Sequence, residues 1–146
     1  MGYSQAYNAY KTTNVKTASQ GRLIVLLYEE AVRQLTLASS LYGPDGKLPV
    51  KNIEKFGNAI LKSQEIITEL QVSLDMEKGG EIASNLMALY IFFNKQLTEA
   101  NIKKDKAVLD SILKMMSDLC ESWTQAASSS ANSPAAPVQQ TLNIEG

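Results

Sequence analysis

The sequence contains no histidine, and that absence removes several chemistries together. Without imidazole there is no common general base, no Ser–His or Cys–His pair, and no Glu-x-x-His pair for a helical di-iron site. The single cysteine, Cys120, excludes an internal disulfide and a multi-thiolate metal centre, and it points to a reducing compartment. No metal or cofactor is expected. Apolar runs are short: the longest, Leu86 to Phe93, has eight residues, far below the ~20 of a membrane span. Met1 to Tyr10 lacks the basic and apolar regions of a signal peptide. Charge of one sign is also lacking, since 14 Lys+Arg face 15 Asp+Glu for a net charge of -1. That balance argues against gripping nucleic acid through its phosphates or holding an anionic membrane.

What remains is a chain of 146 residues, 45% hydrophobic and 20% charged, enough for one domain with a sizeable core. Two segments read as turns, Gly43 to Pro49 and Glu77 to Gly80. The stretches around them have a helical period, and no strand-like alternation stands out. Helices are expected over Gln20 to Tyr42, Val50 to Leu74, Glu81 to Ile102 and Asp105 to Ala127, with Ser19 as the N-cap of the first. Gly57 interrupts the second, as a mark of close packing or of a kink. Residues 1–18 read as an arm or short helix with Tyr3, Tyr7 and Tyr10 on one face. From Ser128 the composition turns to Ser, Ala, Pro, Gln and Asn, which reads as a flexible tail over 128–146. The expected fold is all-α, an antiparallel four-helix bundle over 19–127 with an additional N-terminal element.

The apolar residues exceed what such a bundle needs. A simple bundle buries about three positions in seven on each helix. The segment around Glu81 to Ile102 carries Ile82, Leu86, Leu89, Tyr90, Phe93, Leu97 and Ala100, with a second line of Ala83, Met87 and Ile91 beside it. The last segment carries Val108, Ile112, Met115, Leu119 and Trp123, next to Leu109, Leu113, Met116 and Cys120. Either a fifth element covers the surplus, the tyrosine arm being one candidate, or a foreign helix does.

Particular stretches then carry a resemblance. These are Tyr7-Asn8-Ala9-Tyr10 followed by Asn14 to Ser19, Leu26-Leu27-Tyr28-Glu29, Glu77 to Leu86, Leu97 to Asn101 with Asp105, and Trp123-Thr124-Gln125. In this order and spacing they resemble the flagellin-specific export chaperone family of the bacterial flagellum (FliS), over about Tyr3 to Gln125. Where that family often has Pro-Gly-Glu, this chain has Gln20-Gly21-Arg22, losing a favoured first-turn proline and an acid at the positive end of the helix. The loop at 43–49 and the tail have no family counterpart.

The resemblance implies a cytoplasmic chaperone that binds the C-terminal segment of flagellin. It would prevent premature polymerisation and deliver the subunit to the cytosolic domain of the export gate. It also implies an arm that overlies the client groove and docks to the gate, which falls by position on Tyr7 and Tyr10. For the groove the candidates are Ile24, Leu27 and Tyr28, then Leu89, Tyr90 and Phe93, then Met116, Leu119 and Trp123; each of these also reads as core. Met76, Met87, Met115 and Met116 are adaptable side chains that suit either role. A generic helical adaptor, or a bundle that self-associates as a homodimer, is the alternative. An enzyme is disfavoured, with no nucleophile–base pair, phosphate-binding glycine loop or ligand cluster in the sequence.

Overall fold

The computed structural model describes residues 20–132, so the arm with Tyr7 and Tyr10 and the segment after Asn132 lie outside the described residues. Helix α1 is Gln20–Ser40. A 3-10 turn, Val50–Asn52, runs into α2, Ile53–Val72. Helix α3 is Gly80–Lys103 and α4 is Lys106–Asn132. These are the four expected helices, and the described residues form an all-α bundle. Each helix packs on the next in sequence and α4 closes back on α1, so α1 and α3 lie on one diagonal and α2 and α4 on the other. The short connections make neighbours antiparallel.

The joints follow from local chemistry. Between α3 and α4 the chain turns through Lys104, which adopts the left-handed region at φ 54. Its ammonium donates to the Asn101 carbonyl and stands 5.5 Å from the Phe56 ring centroid. Asp105 then caps α4, its carboxylate accepting from the Val108 N–H at 3.2 Å. Between α2 and α3, the Asp75 carboxylate accepts from the N–H groups of Glu77 and Lys78. Gly79 is required there, because a Cβ would lie 2.6 Å from the Ala83 Cβ and 2.7 Å from the Asp75 carbonyl oxygen.

Several expectations need correction. Helix α1 stops at Ser40, short of Tyr42, and the expected helix from Val50 to Leu74 divides into the 3-10 turn and α2, which ends at Val72. Helix α4 passes Ala127 and continues to Asn132. Each residue added to a helix already formed fixes one residue and gains one hydrogen bond, and serine is too weak a breaker to stop that. Gly57 neither kinks α2 nor marks a close approach. A Cβ there would meet only the Asn101 side-chain oxygen, at 3.9 Å.

The core centres on Tyr28 and Leu35 of α1, Phe56, Ile60, Ile67 and Leu70 of α2, Tyr90, Phe93 and Leu97 of α3, and Leu109, Ile112 and Met116 of α4. One polar contact crosses it along the diagonal: the Tyr28 and Tyr90 hydroxyls are 2.5 Å apart. Burial raises both phenol pKa values, that of Tyr28 with the adjoining Tyr90 as a further cause. The pair is therefore neutral, and one hydroxyl can donate to the other.

Candidate functional site

At the end of the bundle where α1 and α3 begin, the apolar faces do not close. A cavity of about 290 Å³ is left there. Its walls are Ile24 of α1, Leu74 of the α2–α3 connection, Ile82, Ala83, Leu86 and Tyr90 of α3, and Trp123 of α4. The Trp123 ring lies 6.2 Å from that of Tyr28, centroid to centroid, and its indole nitrogen is buried. Since Tyr90 is itself hydrogen-bonded to Tyr28, the cavity wall connects directly to the core diagonal.

A half-buried seam leads away from this cavity between α3 and α4. Gln96 and Val108 line a common cleft near the far end, with Lys95, Glu99, Lys103 and Asp105. Stepping back along α3 by seven residues at a time keeps to the same face and reaches Leu89, then Ile82 in the cavity wall. On α4 the stripe of Val108 continues through Met115 and Leu119. Ile82, Leu89, Val108, Met115 and Leu119 are all partly exposed while packed against the core. From Ile82 to Gln96 the seam is about 21 Å long. Beside it, the outer face of α3 presents Ile91 at 54% and Phe92 at 42% exposure.

The sequence candidates for the groove divide accordingly. Ile24, Tyr90 and Trp123 meet at the end cavity. Leu89 and Leu119 line the seam. The side chains of Leu27, Tyr28, Phe93 and Met116 are instead taken up by the core, with Leu27 7% exposed and the other three at 0%. Tyr7 and Tyr10 lie outside the described residues. Sequence reasoning left Leu74, Ile82, Leu86 and Met115 out of the candidates; the doubled apolar line on α3 and α4 was the signal that could have found the last three, and Leu74, in the α2–α3 connection, had none. Cys120 is half-buried, and burial, followed by the nearby Glu29 carboxylate, raises its thiol pKa and so disfavours a reactive thiolate.

Several charged groups of α3 and α4 pair within their own helix. Lys103 reaches Glu99, Lys106 reaches Asp110 and Lys114 reaches Asp118, each one helical turn away. Among the described residues, no group of three or more His, Cys, Asp or Glu is placed to hold a metal ion, and no helix is long and apolar enough to cross a membrane. The arrangement offers a long apolar surface bounded by compensated charge, which suits the burial of another apolar surface.

Known proteins supply the frame for this geometry. Residues 3–130 match the family described as Flagellar protein FliS. The chain is similar to the flagellar secretion chaperone FliS of Vibrio cholerae, at 33% identity over 125 residues, which is 85% of this chain and 88% of that protein. The corresponding Salmonella typhimurium protein is 35% identical over 112 residues, 76% of this chain and 78% of its own length. That of Bacillus subtilis is 29% identical over 126 residues, 86% and 89% of the two lengths. The matched region contains the four helices up to the last two residues of α4, together with the end cavity and the seam, and the chain belongs to the FliS family.

Proposed function

We propose that this protein is a cytoplasmic secretion chaperone whose client is the C-terminal segment of flagellin. The observation that carries the reading is the continuous apolar path from the end cavity along the α3–α4 seam, in a chain whose relatives are named flagellar secretion chaperones. A disordered client loses conformational entropy on ordering, so it needs a long apolar surface to offset that loss. The seam and cavity provide one, with Met115 and Trp123 as an adaptable and a large flat contact. The client lies as an amphipathic helix along Leu89, Met115 and Leu119 and ends over Ile24, Tyr90 and Trp123. While held, it cannot polymerise. Tyr7 and Tyr10 overlie part of this surface in the free protein and dock to the cytosolic domain of the export gate once the client is bound. The protein performs no catalysis.

Titration calorimetry of a flagellin C-terminal peptide at two temperatures tests the proposal. Tight one-to-one binding with a large negative heat-capacity change is expected, the signature of apolar burial coupled to folding. The double substitution Leu89→Asp, Leu119→Asp should weaken binding at least about tenfold, since it places charges in a desolvated seam. No binding by the intact chain, or by a chain starting at Ser19, would overturn the reading. A closed homodimer in the same solutions would put the self-associating bundle in its place.

A further inference from the structure

The groove between α2 and α3 closes on the core along one side only. Three contacts fix the lines along which the two helices meet. The Cβ position of Gly57 faces Asn101, the Gln64 amide donates to the Asn94 carbonyl, and the Gln71 amide reaches the Met87 sulfur. Gly57, Gln64 and Gln71 are spaced by seven on α2, as are Met87, Asn94 and Asn101 on α3. A residue four or eight places beyond either line stands about 40° or 80° round the helix from it. In two antiparallel helices that rotation turns both to the same side of the groove, and here that side faces away from the core. It carries Leu61, Glu65 and Val72 on α2 and Ile91, Lys95 and Ile102 on α3. All six are exposed, the four apolar ones by more than half. The contacts of Gln64 with Asn94 and Thr98 put Glu65 level with Lys95.

The two rows share one pattern with opposite charge at the centre, so the face is complementary to itself. A two-fold axis parallel to the bundle lays α2 of one copy on α3 of the other at the same level. Glu65 of each copy then meets Lys95 of the other. Leu61 falls within about one helical turn of Ile102, and Val72 within about one turn of Ile91. An axis across the helices at that level would instead set Glu65 on Glu65 and Lys95 on Lys95, which like charge disfavours. We propose that a second copy of this chain docks here, in the parallel two-fold arrangement. The apolar rows supply the affinity and the charges set the register. From the level of Ile102 to that of Val72 the face is about 22 Å long, and two helices make it about 20 Å wide. Two copies bury on the order of 900 Å², below the roughly 1,200 Å² of stable complexes, so the dimer is weak and reversible. The seam toward α4 lies on the other side of α3 and stays open. This dimer is therefore not the closed homodimer set against the client reading, and it does not depend on that reading.

Analytical ultracentrifugation of the full chain tests the proposal. A monomer–dimer equilibrium is expected, with a Kd on the order of 100 μM. Glu65→Lys and Lys95→Glu should each weaken it at least about fivefold, since both ion pairs become like-charge contacts, and the double swap should restore it. Leu61→Asp with Ile91→Asp should abolish it, by leaving charges desolvated in the interface. All four positions are exposed, and a far-UV circular dichroism spectrum matching that of the parent chain confirms that the variants fold. A chain that stays monomeric up to about 1 mM overturns the proposal. So does a dimer that survives Leu61→Asp with Ile91→Asp, or one that the double swap fails to restore. Dimerisation only after removal of residues 1–18 gives the face to the N-terminal segment, and dissociation of the dimer by the flagellin peptide gives it to the client; either result overturns the proposal.

Discussion

Helices α1 and α3 occupy the same diagonal of one bundle, start at the same end and meet through one hydrogen bond, yet they dispose of their apolar residues differently. Helix α1 packs more extensively on both neighbours than α3 does on either of its own. Its outer face is mostly polar, with Arg22, Glu29, Arg33 and Thr36 beside a single exposed Leu37, and Arg33 is paired to Glu30. Helix α3 is apolar on most sides between Leu86 and Phe93, with Tyr90 and Phe93 inward, Leu89 on the seam, and Ile91 and Phe92 outward. Apart from the Tyr90 hydroxyl, its described polar ties go to α2, where the Gln64 amide donates to the Asn94 carbonyl and to the Thr98 hydroxyl. The seam toward α4 is left to apolar contact. In this fold α3 is less committed to its neighbours than α1, and its partly buried Ile82 and Leu89 border the seam proposed as the client site.

The sharpest test of this contrast compares two adjacent phenylalanines of α3. Phe93 is fully buried and Phe92 is 42% exposed. Phe93→Ala should cost about 3–5 kcal/mol of unfolding free energy, from lost transfer and the cavity left behind. Phe92→Ala should cost less than about 1 kcal/mol. Urea unfolding of both variants checks this, and equal costs would mean that the outer face of α3 is covered in solution.

The link between the two helices comes next in size. Tyr90→Phe removes one hydroxyl of the buried pair and leaves that of Tyr28 without its partner. A cost of about 1–3 kcal/mol is expected. Adding Tyr28→Phe removes the unsatisfied group as well, so the double variant should be more stable than Tyr90→Phe alone. A purely additive double-mutant cycle would contradict the view that this contact ties α1 to α3.

Most of the fold was legible in the sequence, because long amphipathic stripes and Gly-rich breaks report helices directly. The stripes of α3 and α4 also announced a surplus. What they could not assign was which stripe faces the core, since Tyr90, Phe93 and Leu89 sit within five positions of one another on the same helix. Burial separates only Leu89, which faces the seam; Phe93 and Tyr90 are both buried in the core, and Tyr90 also borders the end cavity. The end of α4 was misplaced because serine-rich composition reads as a breaker, whereas an established helix propagates through it. Gly57 was misread for a related reason, since a glycine within a helix signals a constraint only when a neighbour occupies the space of its Cβ.

Gly57 therefore yields the next prediction. Its Cβ position is open except for ordinary contact with Asn101 of α3, and the residue lies within a regular helix. Gly57→Ala should stabilise the protein by about 0.5–1 kcal/mol through reduced backbone freedom in the unfolded chain. A higher urea midpoint with unchanged slope is the expected outcome. Destabilisation would show that α3 approaches α2 more closely than the contrast with α1 allows.

The smallest effect concerns the polar tie that α1 makes with α4. The Ser39 hydroxyl donates to the Asp110 carboxylate at 2.6 Å, and Lys106 donates to its other oxygen at 2.7 Å. Partial burial alone would raise the Asp110 pKa, but the hydrogen bonds from Lys106 and Ser39 outweigh it and hold the carboxyl below its usual value. A carboxyl with a depressed folded-state pKa stabilises the native state above its unfolded pKa, near 4, and loses that contribution as pH falls below it. The group is 41% exposed, so solvent screening limits its worth to about 0.5 kcal/mol. Asp110→Asn should lower the urea midpoint slightly at pH 7, and the gap from the parent chain should narrow as pH falls below about 4. A gap that does not change between pH 7 and the acid end of the titration would mean that the side chain contributes by packing, and α1 would then owe its firmer seating to apolar contact alone.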